Sequence, residues 1–587
     1  MGCINSSMIS NANAPHNHIE PRLSNDQKER SSKTRIIQNE VVDYCVSSIA
    51  SEEQKEPTGK FIDGLLGLCD NQIIIEKLSK LSQGELFEDE EFPADSTSLC
   101  FSQPPAKFYD DVVWLRPFQI SNSPYLFVDG TSRRDVKQGI LGNCWFLSAC
   151  ASVAKRQDLV EKVIDPSQHL FGDGYRGILL INFWRFGEWV TVNIDDRLPT
   201  KNGHLIFGSC INENEFWLAL VEKAYAKLHG SYEALIGGHA LEAFVDLTGG
   251  IAETVRISPD CFKQLTTVYM HGAFITCSRK AEGNHHEICR HQAPNAKGLI
   301  EGHAYTVTYV ATVDLLDGET VELVRVRNPW GDAVEWDGAW SDRSANWNNV
   351  SEFDKKRLRI LAMEDGEFWM EFDDFQEEFE ELTIATIGPD FNQDGLADTP
   401  LEVGFIKSSW KKGVNAGGCR NDLEKFALNP QYLLHLKESN HAEGEEMCSV
   451  LIGLMQEHRR SQKNRRLSLV PIAFFIYKAE TPLEKLGAEY FLCIPEESNS
   501  GDFTDCREVI LRIDLEPGYY VIIPATFHPD SETNFMIRVF ALRPFTLAEM
   551  TESKETDSGL VNDASSCSTP NLFDSTAVEN SIETIQP

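Results

Sequence analysis

The sequence predicts an α+β protein: a mixed helix-and-strand part, then an antiparallel β-sandwich, with disordered segments at both ends. Three observations carry this. The apolar run WFLSACASVA and the pattern EFWLALVEKAYAKLHG are helical, whereas AYTVTYV and VELVRV alternate like strands around an Asp317-Gly318 turn. Beyond the turn-rich segment Ile387–Pro400 come alternating stretches such as VPIAFFIYKA and GYYVIIPA, with no long helix between them. Residues 1 to about 60 are polar and rich in Asn and Ser, and the last forty or so are Ser, Thr, Glu and Asp with few aromatics.

A chain of 587 residues is too long for one core, so three or four units are expected. Acidic residues outnumber basic ones by 90 to 54, a net charge of −36. Such a surface repels nucleic-acid phosphates, which argues against a nucleic-acid partner, and it offers oxygen ligands to hard cations such as calcium. The fifteen cysteines are scattered, with no C-x-x-C pair. The opening MGCINSSMISNANAPHNH lacks the apolar core of a signal peptide, and no apolar run approaches the length of a membrane span. The cysteines are therefore expected to be reduced, the protein cytoplasmic, and the sequons at Asn5 and Asn349 without sugar. The same opening fits a myristoylation signal at Gly2, with Ser6 in place and Cys3 as a second acyl site. Two acyl chains would attach the protein to the cytoplasmic face of membranes, where one holds only marginally.

Along the chain, FIDGLLGLCDNQIIIEKLSKL reads as a short amphipathic helix packed on the globular part, which begins near LFEDEEFP at Leu86. Paired glycines in IGGH, at Gly237 and Gly238, suit a hinge. Asp390-Phe-Asn392-Gln-Asp394-Gly395 resembles the first half of an EF-hand loop, but Leu401 occupies the position that needs a bidentate glutamate. It is read as a polar linker turn.

The stretch KQGILGNCWFLSACASVA places Cys144 behind a tight GNC turn, at the mouth of a buried helix. Unpaired N–H groups and the helix dipole there favour a thiolate. Gln138, six residues earlier, can offer a side-chain N–H toward a developing oxyanion. Read alone, such a cysteine is as compatible with a structural core residue, the commoner case. The hairpin changes the balance. His303 opens its first strand and Asn328 closes its second, so folding about the turn brings them together. A histidine whose tautomer is held by an asparagine is the base and orienter of a Cys-His-Asn protease.

The blocks QGILGNCWFLSA, EGHAYTVT and RVRNPWG resemble the active-site blocks of the calpain family, the calcium-dependent cytosolic cysteine proteases. The likeness extends through FGEWVTVNIDDRLPT, NEFWLALVEKAYAKLHGSYEAL, MEDGEFWMEF, WKKGVNAGGCRN and PGYYVIIPATFHPDSETNFMIRVFA, about residues 83 to 546. It implies a papain-like two-subdomain protease core, with subdomain 1 over 83–238 and subdomain 2 over 239–387. An N-terminal region 1–82 precedes it, and a linker 388–395, a C2-like β-sandwich over 396–546 and a tail 547–587 come after it. By the same likeness each subdomain binds one calcium ion and closure of the two assembles the catalytic groups.

The family's ligand positions fall on the carbonyls of Val128 and Gly130 with Asp135 and Glu215 in the first half. In the second they fall on Glu335, Asp342, the Met363 carbonyl, Asp365 and Glu367. Arg133 and Glu367 match the pair that couples the halves, and Trp330 the indole beside the active site. Two departures from the family pattern stand out. A penta-EF-hand domain is not seen, so a small regulatory subunit is not expected as a partner. The loop RKAEGNHHEICRHQAPNAKGL brings His285, His286, Cys289 and His291 close, but Arg290 replaces the second histidine of H-E-x-x-H, and a loop beside the cleft is the reading preferred to zinc. The acidic KESNHAEGEEM, Lys437 to Met447, suits calcium, basic residues of the protease halves, a membrane, or solvent alone.

The function implied is a calcium-activated intracellular cysteine endopeptidase making limited cuts in protein substrates. The alternative is a catalytically silent, calcium-responsive scaffold or membrane adaptor, against which the intact Cys144, His303 and Asn328 weigh.

Overall fold

The computed structural model describes residues 76, 78–82, 84–100, 109–172, 174–279, 294–360, 362–400, 402–437, 447–458, 460, 469–480 and 484–551. The acylation motif at Gly2 and Cys3, the His285–His291 loop and most of the acidic 437–447 segment lie outside them.

A first core gathers around helix α1 (Cys144–Val153), every residue of which is buried, as its unbroken apolar character predicts. Strands β1 (Ile178–Arg185) and β2 (Glu188–Asp195) form a hairpin over it, with Arg185 opposite Glu188. Helix α2 (Trp217–His229) buries not only its apolar residues but also Glu222 and Lys223. Helix α3 (Ala240–Thr248) lies beyond the expected hinge at Gly237–Gly238, yet its Ala243, Phe244 and Val245 belong to the same core as Leu147 and Ala151. It ends on Gly249 in the left-handed region (φ 73°), and a Cβ on Gly250 would stand 1.9 Å from the Thr386 carbonyl oxygen. The chain passes to the second core at these two glycines, where neither a left-handed turn nor so close an approach accepts a side chain.

The second core lies on one antiparallel six-stranded sheet. Its strands are β3 (Ile251–Arg256), β4 (Phe274–Ser278), β5 (Ala304–Asp314), β6 (Thr320–Arg327), β7 (Glu367–Glu371) and β8 (Glu381–Thr386), in the order β7-β6-β5-β4-β8-β3. Leu265, Ile275, Tyr305, Val324, Phe368 and Leu382 pack together there. The β5–β6 hairpin has the expected turn. Asp314 pairs with Thr320 and Thr306 with Arg327, which sets residues 303 and 328 side by side at its open end.

The C-terminal part has two antiparallel sheets. One contains β9 (Glu402–Trp410), β11 (Cys448–Gln456), β14 (Glu508–Leu515) and β16 (Thr533–Ala541), in the order β9-β16-β11-β14. The other contains β10 (Tyr432–Leu436), β12 (Ile472–Ala479), β13 (Ser498–Asn499), β15 (Gly518–Thr526) and β17 (Phe545–Glu549), in the order β13-β12-β15-β10-β17. Alternate residues share one core: Val450, Ile452, Ile537 and Val539 from the first, Phe474, Ile476, Tyr520 and Ile522 from the second.

The other face of the four-stranded sheet meets the mixed part that precedes it. Leu451 and Phe540 cluster with Ile251. Arginines supply the polar ties. Arg507 pairs with Asp246 at 2.6 Å, Arg460 with Glu242 at 3.0 Å and Arg512 with Glu253, while Arg538 donates to the Gly250 carbonyl at 3.1 Å. Helix α3 is thus held between α1 and the C-terminal sheets. The linker at Asp390 closes on itself, its carboxylate accepting the N–H groups of Asp394 (3.1 Å) and Gly395 (2.8 Å), as a polar turn should. Among the described residues no helix is long and apolar enough to cross a membrane.

Candidate active site

Cys144 is the first residue of α1, with Asn143 at the N-cap position, and it is buried. Burial pushes its thiol up to about 11. The N–H groups of Ala304, Trp145 and Cys144 itself act the other way, because each can donate to the sulfur and stabilise its anion. The Ala304 contact brings the two expected partners into one place, since Ala304 comes directly after His303 at the start of β5. A second tie lies just inside, where the Thr306 hydroxyl donates to the Ser148 carbonyl at 3.0 Å.

His303 is buried, and its Nε2 lies 2.8 Å from Asn328 Oδ1. That oxygen also accepts the Trp330 N–H at 3.1 Å, and Asn328 Nδ2 donates to the Val334 carbonyl at 3.1 Å. Both contacts fix the amide's orientation, so Oδ1 is an acceptor and His303 Nε2 carries the hydrogen. Nδ1 then bears the lone pair a base requires. The ring packs against Trp330 and edge-on against Tyr305, with centroids 5.4 and 4.8 Å away. Burial lowers its pKa to about 4, with the Asn328 hydrogen bond and Asp332 working in the opposite direction.

Gln138 is buried beside this pair. Its backbone N–H donates to the Pro329 carbonyl at 2.8 Å, a bond from one lobe to the other. Its side-chain Nε2 donates to the Leu141 carbonyl at 2.6 Å, which spends one of the two amide hydrogens and leaves the second for another acceptor. The lobes are further joined by Arg327 to the Val136 carbonyl at 2.8 Å and Arg133 to the Thr308 carbonyl at 3.0 Å.

The expected calcium donors form two acidic neighbourhoods. In the first lobe Glu215 accepts the Val128 N–H at 3.2 Å and Asp135 the Ser132 N–H at 2.6 Å. Burial, then the charges of Asp135 and Asp129, push Glu215 up to about 7. In the second, Glu335 accepts the Gly366 N–H (2.8 Å), Asp342 the Met363 N–H (3.0 Å) and Asp365 the Glu367 N–H (3.1 Å). Burial and neighbouring carboxylates raise Glu335 to about 7 and Asp342 to about 6. All these donors are carboxylate or carbonyl oxygens, the chemistry a hard cation takes, and the acids repel one another. No three or more His, Cys, Asp or Glu side chains converge on one point among the described residues.

Glu367 differs from the other acids. Burial would raise its pKa, but Arg325, Arg133 and Arg134 outweigh it, the latter two at 3.2 and 3.4 Å. The pairing of Arg133 with Glu367 is the one the family resemblance implies; the second arginine, Arg134, was not foreseen. Nor were Glu222, which binds Asn143, or Arg460, whose guanidinium lies 4.6 Å from the centroid of the Trp145 ring. A charged residue inside the apolar helix WLALVEKAY was the available signal for Glu222.

Residues 87–386 match the family model for the calpain family cysteine protease, and residues 406–540 that for calpain large subunit, domain III. Calpain-B of Drosophila melanogaster is 41% identical over 475 residues, covering 79% of this chain and 50% of its own length. Calpain-9 of Homo sapiens is 43% identical over 468 residues, 78% of this chain and 65% of that protein. The Calpain-1 catalytic subunit of Mus musculus is 39% identical over 523 residues, 85% and 71% respectively. The chain therefore spans about half the length of some curated relatives it matches.

Proposed function

This chain belongs to the calpain family of cysteine proteases, and on that premise we propose that it is a calcium-activated intracellular endopeptidase using Cys144, His303 and Asn328. The observation that carries the reading is the 2.8 Å His303–Asn328 bond, made beside a helix-mouth thiol that faces the Ala304 N–H. The papain-like description of the two lobes and the C2-like sandwich description of residues 396–546 belong to the same proposal.

His303 Nδ1 takes the thiol proton as Sγ attacks the scissile carbonyl. A C–S bond forms and the carbonyl π pair moves onto oxygen, toward the remaining Gln138 amide hydrogen and the Cys144 N–H. Collapse breaks the C–N bond, and the imidazolium returns its proton to the leaving amine. Water, deprotonated by the same ring, then attacks the thioester and releases the acid and the thiol. Asn328 keeps Nε2 protonated throughout, so that Nδ1 alone serves as the base.

The residues that would hold calcium, by the family resemblance, are Asp135 and Glu215 with the Val128 and Gly130 carbonyls, and Glu335, Asp342, Asp365 and Glu367 with the Met363 carbonyl. Bound there, calcium would supply positive charge against acids that otherwise repel one another. Arg133, Arg134, Gln138 and Arg327 all make contacts across the two lobes close to these acids, which supports activation by a shift toward the joined arrangement. Acylation at Gly2 and Cys3, attaching the enzyme to the cytoplasmic face of membranes, is part of the proposal and rests on the motif.

The test is Cys144→Ser. The variant is expected to keep the fold and lose cleavage of casein in calcium, and to lose labelling at position 144 by a thiol-directed covalent probe, the other cysteines, Cys493 among them, being labelled as in the parent. Cleavage at the parent rate would overturn the mechanism.

A further inference from the structure

We propose that Glu222 is a positioning residue for attack by Cys144: its buried carboxyl ties Asn143 to Gly208 and so keeps the donors around the reacting carbonyl in place. The inference rests on the reading of Cys144 as the nucleophile.

An asparagine at an N-cap ordinarily turns its side-chain oxygen onto the N–H groups of the first helical turn. Asn143 does not. It makes no side-chain cap bond, and its Nδ2 donates to Glu222 Oε1 at 2.7 Å. Its Oδ1 is buried with no hydrogen-bond partner. The N–H groups at the mouth of α1, those of Cys144 and Trp145 among them, therefore stay free of a side-chain cap, and those two can donate toward the sulfur.

The other carboxyl oxygen, Oε2, accepts the Gly208 N–H at 2.8 Å. Gly208 comes after Ile206 and Phe207, which form the wall behind Gln138 and Gly139. The Ile140 N–H donates to the Ile206 carbonyl at 3.0 Å. A Cβ on Gly139 would lie 2.3 Å from the carbonyl oxygens of both Ile206 and Phe207, so these segments are in direct contact. One carboxyl thus struts the residue before the nucleophile against the wall behind the glutamine. The carboxyl is fully buried, and burial pushes it up to about 7, with the two amide contacts opposing. A buried carboxyl is costly unless hydrogen-bonded, and both Glu222 oxygens accept a hydrogen bond here.

Three variants of the full chain in saturating calcium test this: Glu222→Leu, Glu222→Gln and Asn143→Ala. Two rates are read. One is hydrolysis of a peptide amide, which passes through an oxyanion. The other is alkylation of Cys144 by iodoacetamide, a displacement at a saturated carbon that forms none. Glu222→Leu is expected to lower kcat about 100-fold with KM within about threefold, and to slow alkylation, which feels these donors only through the thiolate, by less than about tenfold. Asn143→Ala should do the same, and the double variant should be no worse than either, because both cut one link. Glu222→Gln, which keeps one acceptor, should fall between. Unchanged kcat overturns the proposal. So does a parallel fall of alkylation and kcat in Glu222→Gln and Asn143→Ala, which would mark a general loss of structure; these two also carry the test if Glu222→Leu does not fold. A parent enzyme still hydrolysing peptide after complete alkylation of Cys144 would instead remove the nucleophile, and this inference with it.

Discussion

His303 and Cys144 show how one environment sets two opposite shifts. Exclusion of water disfavours both the thiolate and the imidazolium, so the thiol rises to about 11 and the imidazole falls to about 4. Burial therefore works against the charged pair, and the donors around the sulfur and the Asn328 bond to the ring oppose it. Two outcomes are expected at this scale. At saturating calcium, so that the raised acids Glu215, Glu335 and Asp342 do not set the profile, the acid limb of kcat/KM should follow protonation of the base and lie well below pH 6.5, toward 4; a limb at or above 6.5 that does not move with calcium concentration would contradict the buried ring. Asn328→Ala frees the imidazole to take the other tautomer and should lower kcat about 100-fold in steady-state assays, with little change in KM. That Cys144, His303 and Asn328 come together could be read from motif and hairpin spacing, because each sits at the end of a recognisable local element. Glu222 could not, since its partner Asn143 is 79 residues away and nothing in a helix sequence says which face meets a turn that distant.

At the scale of elements, α1 is unusual in being buried on every side. The β5 hairpin lies on one flank, and α3 on another, with the C-terminal sheets behind α3. Arg460 links these layers. It pairs with Glu242 on α3, donates to the Ala234 and Gly237 carbonyls and lies over Trp145, the residue after Cys144. For Glu242, burial alone would raise its pKa, but Arg460, His458 and Arg507 outweigh it and hold it at about 2 against an ordinary 4.5. A folded-state value depressed in this way contributes stability above the unfolded value and loses it as pH falls from about 4.5 toward 2. The shift corresponds to roughly 3 kcal/mol. Chemical denaturation should find Glu242→Gln less stable than the parent at pH 7, with the gap narrowing as pH falls; a gap constant with pH would contradict the pairing. Arg460→Ala leaves Glu242 buried and uncompensated, and should cost about 3–5 kcal/mol by the same measurement. The alternating strands and the α1 and α2 helices were legible from periodicity. The arginine ties to α3 were not, because they join surfaces of separately predicted units.

Over the whole molecule, the order of large parts matched the sequence: a mixed part with two cores, a polar turn, then two antiparallel sheets. The six-stranded order β7-β6-β5-β4-β8-β3 was not readable, because only the hairpins within it are local and the return of β8 between β4 and β3 depends on distant pairing. Nor was the passage between cores at Gly249–Gly250, since the Gly237–Gly238 pair offers the same local signal and only the packing of α3 distinguishes them. The two acidic neighbourhoods lie one in each lobe, and contacts made by Arg133, Arg134, Gln138 and Arg327 join the lobes next to them. Lobe joining and cation binding are thereby expected to be linked. The most direct measurement is a calcium titration of casein cleavage by the full chain, run beside Cys144→Ser. Cleavage by the parent should rise from near zero in excess chelator to a plateau, with the variant silent throughout. Full cleavage by the parent in excess chelator would contradict the account.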